Sequence, residues 1–91
     1  MPVVLTTFAP NRETYEAIND KIGVLSDLPS GLIIHTATQT PDGVKIVDVW
    51  ESKEAADTFH RDRLGPAIEA VSGGMVGGEP DIAEPFNVIR P

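Results

Sequence analysis

Ninety-one residues with a formal net charge of −7 and no cysteine make one domain, 1–91, and not two. The missing thiols exclude a disulfide framework, thiolate metal sites and a cysteine nucleophile, and they fit a reducing, cytoplasmic setting. The negative charge argues against nucleic acid and anionic membrane surfaces as partners, and against polyanionic substrates.

A chain this short buries only about 60–65% of its unfolded surface, so its core is thin and a covering partner would help. The first ten residues, MPVVLTTFAP, carry no basic region and no long apolar run, so neither a signal peptide nor a membrane span is expected. Residues 2–9 read as a strand, with Val3, Leu5 and Thr7 on one face and Val4, Thr6 and Phe8 on the other. Both faces are largely apolar, as in a sheet covered on each side. Asn11 is a suitable N-cap, and Glu13 falls in the first turn, where negative charge is favoured. Tyr15, Ile18, Ile22 and Leu25 recur at three- to four-residue spacing and mark one helical stripe. Gly23 suits the position just past the helix and Lys21 its last turn, so the helix should end near Ile22, with 24–30 as a connection.

Two stretches rich in β-branched residues, 32–40 and 44–51, flank Pro41-Asp42-Gly43, a turn sequence, and so predict a hairpin. Ser52 caps a second helix with Glu54 in its first turn and an apolar side of Ala56, Phe59, Leu64, Ala67 and Val71. Gly65-Pro66 should kink or restart that helix, because Pro66 lacks an N–H and crowds the preceding turn. Residues 72–78, SGGMVGG, read as a loop, and 81–89, broken by Pro85, as an edge or bulged strand.

Strand, helix, strand, strand, helix, strand, joined by right-handed crossovers, gives an α+β ferredoxin-like fold. Its four-stranded antiparallel sheet carries two helices on one face. The other face has no helix, yet the third strand is apolar on both sides, with Val47 and Val49 opposite Ile46 and Trp50. An uncovered apolar face implies a partner, most simply a second copy in a homodimer.

Ile22-Gly23, Gly31-Leu32-x-x-His35, Val47-Asp48-Val49-Trp50-Glu51-Ser52 and Arg63-Leu64-Gly65-Pro66 together resemble the dimeric α/β-barrel superfamily. The similarity is to its antibiotic-biosynthesis-monooxygenase-like branch and covers nearly the whole chain. The resemblance implies two ferredoxin-like protomers whose sheets pack into a barrel with the helices outside. Members include cofactor-independent monooxygenases of aromatic polyketides, haem-degrading enzymes, muconolactone-type isomerases and proteins with no known activity. Haem-degrading relatives carry a Trp and a His on or near the second helix. Anchored on Trp50-Glu51-Ser52, those places fall to Phe59 and Ala70, so the resemblance does not extend to haem. The polyketide enzymes use Asn, Trp, Tyr and Arg in a cavity between sheet and helices, and Trp50, Tyr15 and Arg63 are of the right types.

The candidate catalytic residues are His35 and His60. His35 sits mid-strand, where an imidazole must find partners or stay partly wet; it is either a base that faces a pocket or a hydrogen-bonded structural residue. Asp48 is the other misfit, between two valines, and whether it meets His35 depends on the turn. A three-residue Pro-Asp-Gly loop would pair Thr36 with Asp48 and put His35 on the opposite face; a two-residue Asp-Gly loop would pair Ala37 with Asp48 and put His35 on the same face. Pro41 favours the first. His60 belongs to the inward side of the second helix, either as a boundary residue or as a second acid–base group. Two histidines on different elements with no third ligand give no metal site, and no cofactor motif is present. One expectation is therefore a homodimer with an apolar pocket for a small, hydrophobic or aromatic molecule, shaped by Trp50, Tyr15 and Phe59 with Asp48 and Arg63, and monooxygenase-like without a cofactor. The alternative is a non-catalytic dimeric module for ligand binding or assembly.

Overall fold

A computed structural model describes residues 1–23, 26–73 and 80–90. Within them the order is β1 (Val3–Ala9), α1 (Arg12–Ile22), β2 (Leu32–Thr40), β3 (Gly43–Trp50), α2 (Lys53–Phe59), a π-helical turn (His60–Leu64), α3 (Gly65–Ser72) and β4 (Asp81–Ala83). The strands form one antiparallel sheet in the order β2-β3-β1-β4, the ferredoxin-like arrangement. No helix among the described residues is long and apolar enough to cross a membrane.

Local chemistry sets the helix ends. The Asn11 side chain accepts the Thr14 N–H at 2.7 Å, and Ser52 Oγ accepts the Ala55 N–H at 3.1 Å, each capping the helix that follows. Gly23, at φ 74°, closes α1 in the left-handed region and returns its N–H to Asn19 O. Leu25 and the other residues expected in connections at 24–25 and 74–78 lie outside the described residues.

The interruption expected at Gly65-Pro66 takes a specific form. Pro66 has no N–H for the Asp62 carbonyl, and its ring would crowd that carbonyl in an α-helix. One wider turn absorbs the mismatch, with the Gly65 N–H bonded to His60 O, five residues back, before α3 continues. The last strand is shorter than expected: only Asp81–Ala83 pairs with β1, and 84–90 carries no strand. Pro85 ends the ladder almost as soon as it begins.

The hairpin register corrects the expectation from the turn. Thr40 pairs with Gly43, so the loop is Pro41 and Asp42 alone, and His35 stands directly opposite Asp48 on the same face. The reason is tertiary. Gly43, at φ 141°, lies against the end of β1, where a Cβ would come within 2.5 Å of Ala9 O and 2.9 Å of Pro10 O. Glycine is held in the strand by that close approach and is not free to close the loop. Gln39 Nε2 and Thr40 Oγ1 both donate to Gly43 O at 3.0 Å and fix the turn from the other side.

The core lies between the sheet and the helices and is built on Val3, Leu5, Trp50, Ala56 and Phe59. Trp50 and Phe59 pack with ring centroids 5.2 Å apart. Ala67, on α3, is buried, whereas Val71, placed on the same apolar side by its spacing, is exposed. On the opposite side of the sheet, Ile34, Val49, Val4 and Ala83 form one cross-strand row and Thr36, Val47, Thr6 and Asp81 the next. Ile34 is 53% exposed there and Phe8 48%.

Candidate functional site

Between the helix-facing side of the sheet and α1, the π-helical turn and α3 is a cavity of about 240 Å³. Its walls are mainly apolar side chains, among them Ile18, Ile22, Leu32, Trp50, Phe59 and Ile68. Into this setting three elements bring three polar side chains in series. β3 supplies Asp48, 8% exposed; β2 supplies His35 across the ladder from it; and α1 supplies Tyr15 from above.

The three are joined end to end. His35 Nδ1 lies 2.5 Å from Asp48 Oδ1, and His35 Nε2 lies 2.5 Å from Tyr15 Oη. The two rings are almost parallel, at 9°, with centroids 5.9 Å apart. A carboxylate can only accept, so Nδ1 carries the proton whatever the state of the ring. In the neutral ring Nε2 is then the acceptor, and Tyr15 donates to it. The phenolic oxygen keeps lone pairs free for a further proton. Burial is the largest cause pushing the Tyr15 hydroxyl above its ordinary pKa, with the charges of Asp48 and Glu16 adding to it, so the phenol stays protonated at rest. The array is a proton wire: a proton delivered to the Tyr15 oxygen can pass inward to Nε2, and the resulting imidazolium is balanced by Asp48.

His60 comes from the first position of the π-helical turn and lines the same cavity, with its ring 5.9 Å from that of Phe59. Burial holds its pKa below the usual histidine value, against the opposing pull of Asp48 and Asp57. Trp50 is 1% exposed, and its buried Nε1–H has no hydrogen-bond partner among the described residues. Such an orphan donor is uncommon in a folded core.

Six of the seven residues singled out from the sequence, Tyr15, His35, Asp48, Trp50, Phe59 and His60, line this cavity. Arg63 does not. Its Nη2 donates to Ile22 O at 3.0 Å, at the C-terminus of α1, and its guanidinium lies 5.7 Å from the centroid of the Phe59 ring on the way. Free carbonyls at a helix end attract a cation, and that attraction turns the side chain away from the cavity. Ala70, at the place where haem-degrading relatives carry a histidine, is exposed on α3. Asn19 also lines the cavity, and the sequence reading does not single it out. Its position one turn after Tyr15 is the available signal, since residues four apart share a helix face. Among the described residues no three His, Asp or Glu side chains gather to hold a metal ion.

No family model matches the sequence, and no curated protein matches it. Solved structures do. A structure from Chloroflexus aurantiacus bearing the name antibiotic biosynthesis monooxygenase is 16% identical, with 97% of this chain and 94% of that one covered at a TM-score of 0.62. The fold is that of the antibiotic-biosynthesis-monooxygenase-like proteins. A monooxygenase of Streptomyces coelicolor, solved with nanaomycin D, is 24% identical over 99% of this chain and 90% of its own, at a TM-score of 0.58. A haem-degrading protein of Mycobacterium tuberculosis with two haems in its active site shares 17% identity over 98% and 99% of the chains, at a TM-score of 0.51. These likenesses, all under 25% identity, concern the fold; the chemistry has to come from the side chains of this chain.

Proposed function

We propose that the protein is a homodimeric, monooxygenase-like enzyme whose protomers each take a small hydroxylated aromatic molecule into the cavity between sheet and helices. The observation that carries this reading is the Asp48–His35–Tyr15 chain, with both links at 2.5 Å, ending in an otherwise apolar cavity. Apolar walls favour an aromatic body, and the Tyr15 oxygen offers an acceptor for an acidic O–H or C–H proton.

Removing that proton does the chemical work. A methylene group activated by flanking aromatic rings loses one proton to the Tyr15–His35 relay. The electron-rich carbanion adds dioxygen, and once the proton returns the product is a hydroperoxide on that carbon. Loss of water from the hydroperoxide breaks the O–O bond and the remaining C–H bond and leaves a ketone. In sum the methylene and one dioxygen become a carbonyl and one water, and the substrate supplies every electron, so the step needs no further reductant. Trp50 and Phe59 would hold the aromatic plane.

The test uses anthrone, an aromatic with an acidic methylene group, in an oxygen electrode with product analysis. Consumption of one dioxygen per ketone formed, faster than in buffer and lost in Tyr15→Phe, is the expected result. If anthrone binds but is never oxidised faster than in buffer, the cavity is a binding site and the protein a ligand-binding module.

A further inference from the structure

The cavity contains a negative group but no fixed positive one. Asp48 lies beneath its wall, and among the described residues no lysine or arginine lines it. The nearest candidate, Arg63, is committed to the end of α1. An ionised ligand beside Tyr15 would therefore face Asp48 in a chain already carrying a net charge of −7. Proton transfer along the relay cancels Asp48 but leaves no surplus positive charge for the ligand, because the imidazolium it creates at His35 is bonded to that carboxylate.

One lining group can acquire a positive charge without disturbing that pair. We propose that His60 is the latent counter-charge of the cavity, taking a proton from solvent when an anionic hydroxyaromatic ligand forms or binds there. This rests on the reading of the cavity as a hydroxyaromatic site and assigns a second, separate role within it.

Three observations support it. His60 lines the cavity from the helical side, while Tyr15, His35 and Asp48 come from α1 and the sheet. Among the described residues its side chain has no hydrogen-bond or ion-pair partner, and its ring contacts only that of Phe59. The π-helical turn, whose extra residue is forced by Pro66, begins at His60 and sets where the ring is presented.

The charges around it agree. From β3, Asp48 favours the protonated ring, and from α2 so does Asp57, which is itself exposed and paired with Lys53 at 2.8 Å. From α1 and β2 the facing groups are Tyr15, whose phenol burial keeps protonated at rest, and His35, to which it is bonded. On the same turn Arg61 is exposed and bound to Asp62 at 2.8 Å. Burial outweighs the two carboxylates and holds the ring's pKa below its ordinary value. A ligand anion would add an attraction at close range in a site sheltered from water, where charges interact more strongly than in bulk.

The experiment uses 4-nitrophenol, whose ionised form is yellow, and 4-nitroanisole, which cannot ionise. Binding is followed by calorimetry in two buffers of different ionisation heat, which counts protons, and by absorbance, which reports the state of the bound phenol. With only two histidines in the chain, the ring resonances are assigned by comparison with His60→Gln. The expected result is that the bound probe stays yellow, about one proton is taken up per site near pH 8, and the His60 resonance moves to the imidazolium position. In His60→Gln the uptake disappears and phenolate affinity falls about tenfold, near the value of one pKa unit, clearly more than nitroanisole affinity falls.

Binding of the yellow form without proton uptake, or with uptake by His35, overturns the inference and leaves the cavity reading intact. If neither probe binds the wild-type protein, both go together. The wild-type resonances decide the matter even if His60→Gln folds poorly.

Discussion

The two faces of the sheet are made by the same strands from neighbouring residues, and they have opposite problems. On the helix side, His35 and Asp48 are polar groups in an apolar space, each satisfied by a bond to a neighbour. On the other side, one residue along, Ile34 pairs with Val49, and Ile34 is half exposed to water. On the helix face these two polar side chains are joined to each other; on the open face apolar side chains stay exposed. The first arrangement is complete within one chain and forms the proposed relay. The second leaves apolar side chains exposed in the single chain.

The sharpest way to break this contrast is to remove the anchor of the helix face. Trp50→Ala should cost about 3–5 kcal/mol, the usual range for truncating a buried aromatic, measured by chemical denaturation. A loss below about 1 kcal/mol would falsify the core described between sheet and helices.

Next in size is the relay itself. His35→Asn should lower activity or probe binding at least about 100-fold, the usual contribution of a positioned acid–base group. Stability should stay within about 1 kcal/mol, since the amide can still donate to a carboxylate. If the order reverses, with a clear drop in melting and unchanged binding, the Tyr15–His35–Asp48 chain is a structural tie.

The open face is tested by Ile34→Asp. In the proposed dimer this places a charge in the interface and should weaken association at least about tenfold, seen by sedimentation as a shift toward the 9.8 kDa monomer. A wild-type protein already monomeric at micromolar concentration would remove the dimer from the reading altogether.

The smallest effect is a pH dependence. The His60 pKa is lowered in the folded chain from its ordinary value of 6.5, so below that value the unfolded chain binds the proton more readily. The stability this group contributes is present above pH 6.5 and declines as pH falls through the folded value. Melting of the wild type should therefore drop more steeply on acidification than melting of His60→Gln.

How much of this could be read from the sequence depended on how local each cause was. Asn11, Ser52 and Gly23 declared the helix ends because a cap acts within one turn. The two-faced character of β1 and β3 was visible from alternation alone. The hairpin register was not, because it is fixed by Gly43 fitting against Ala9 and Pro10, more than thirty residues earlier in the chain. That one contact decides whether His35 meets Asp48. Tyr15 has the right chemistry for the site, but only the packing of α1 on the sheet brings its oxygen to Nε2 across a separation of 20 residues. Arg63 misled for the complementary reason: its residue type suited a pocket, while the carbonyl that holds it belongs to another helix.

Trp50 has a further use. It is the chain's single tryptophan, it forms part of the cavity wall, and it lies 5.2 Å from Phe59. All indole emission from this protein therefore originates at the proposed site, with no second fluorophore of that kind to subtract. A buried ring whose N–H lacks a partner should emit at the blue end of the tryptophan range, and a ligand lying against it should quench or shift that light. The fold thus comes with its own optical reporter, and a library of unlabelled aromatic compounds can be titrated against the unmodified protein in a fluorimeter.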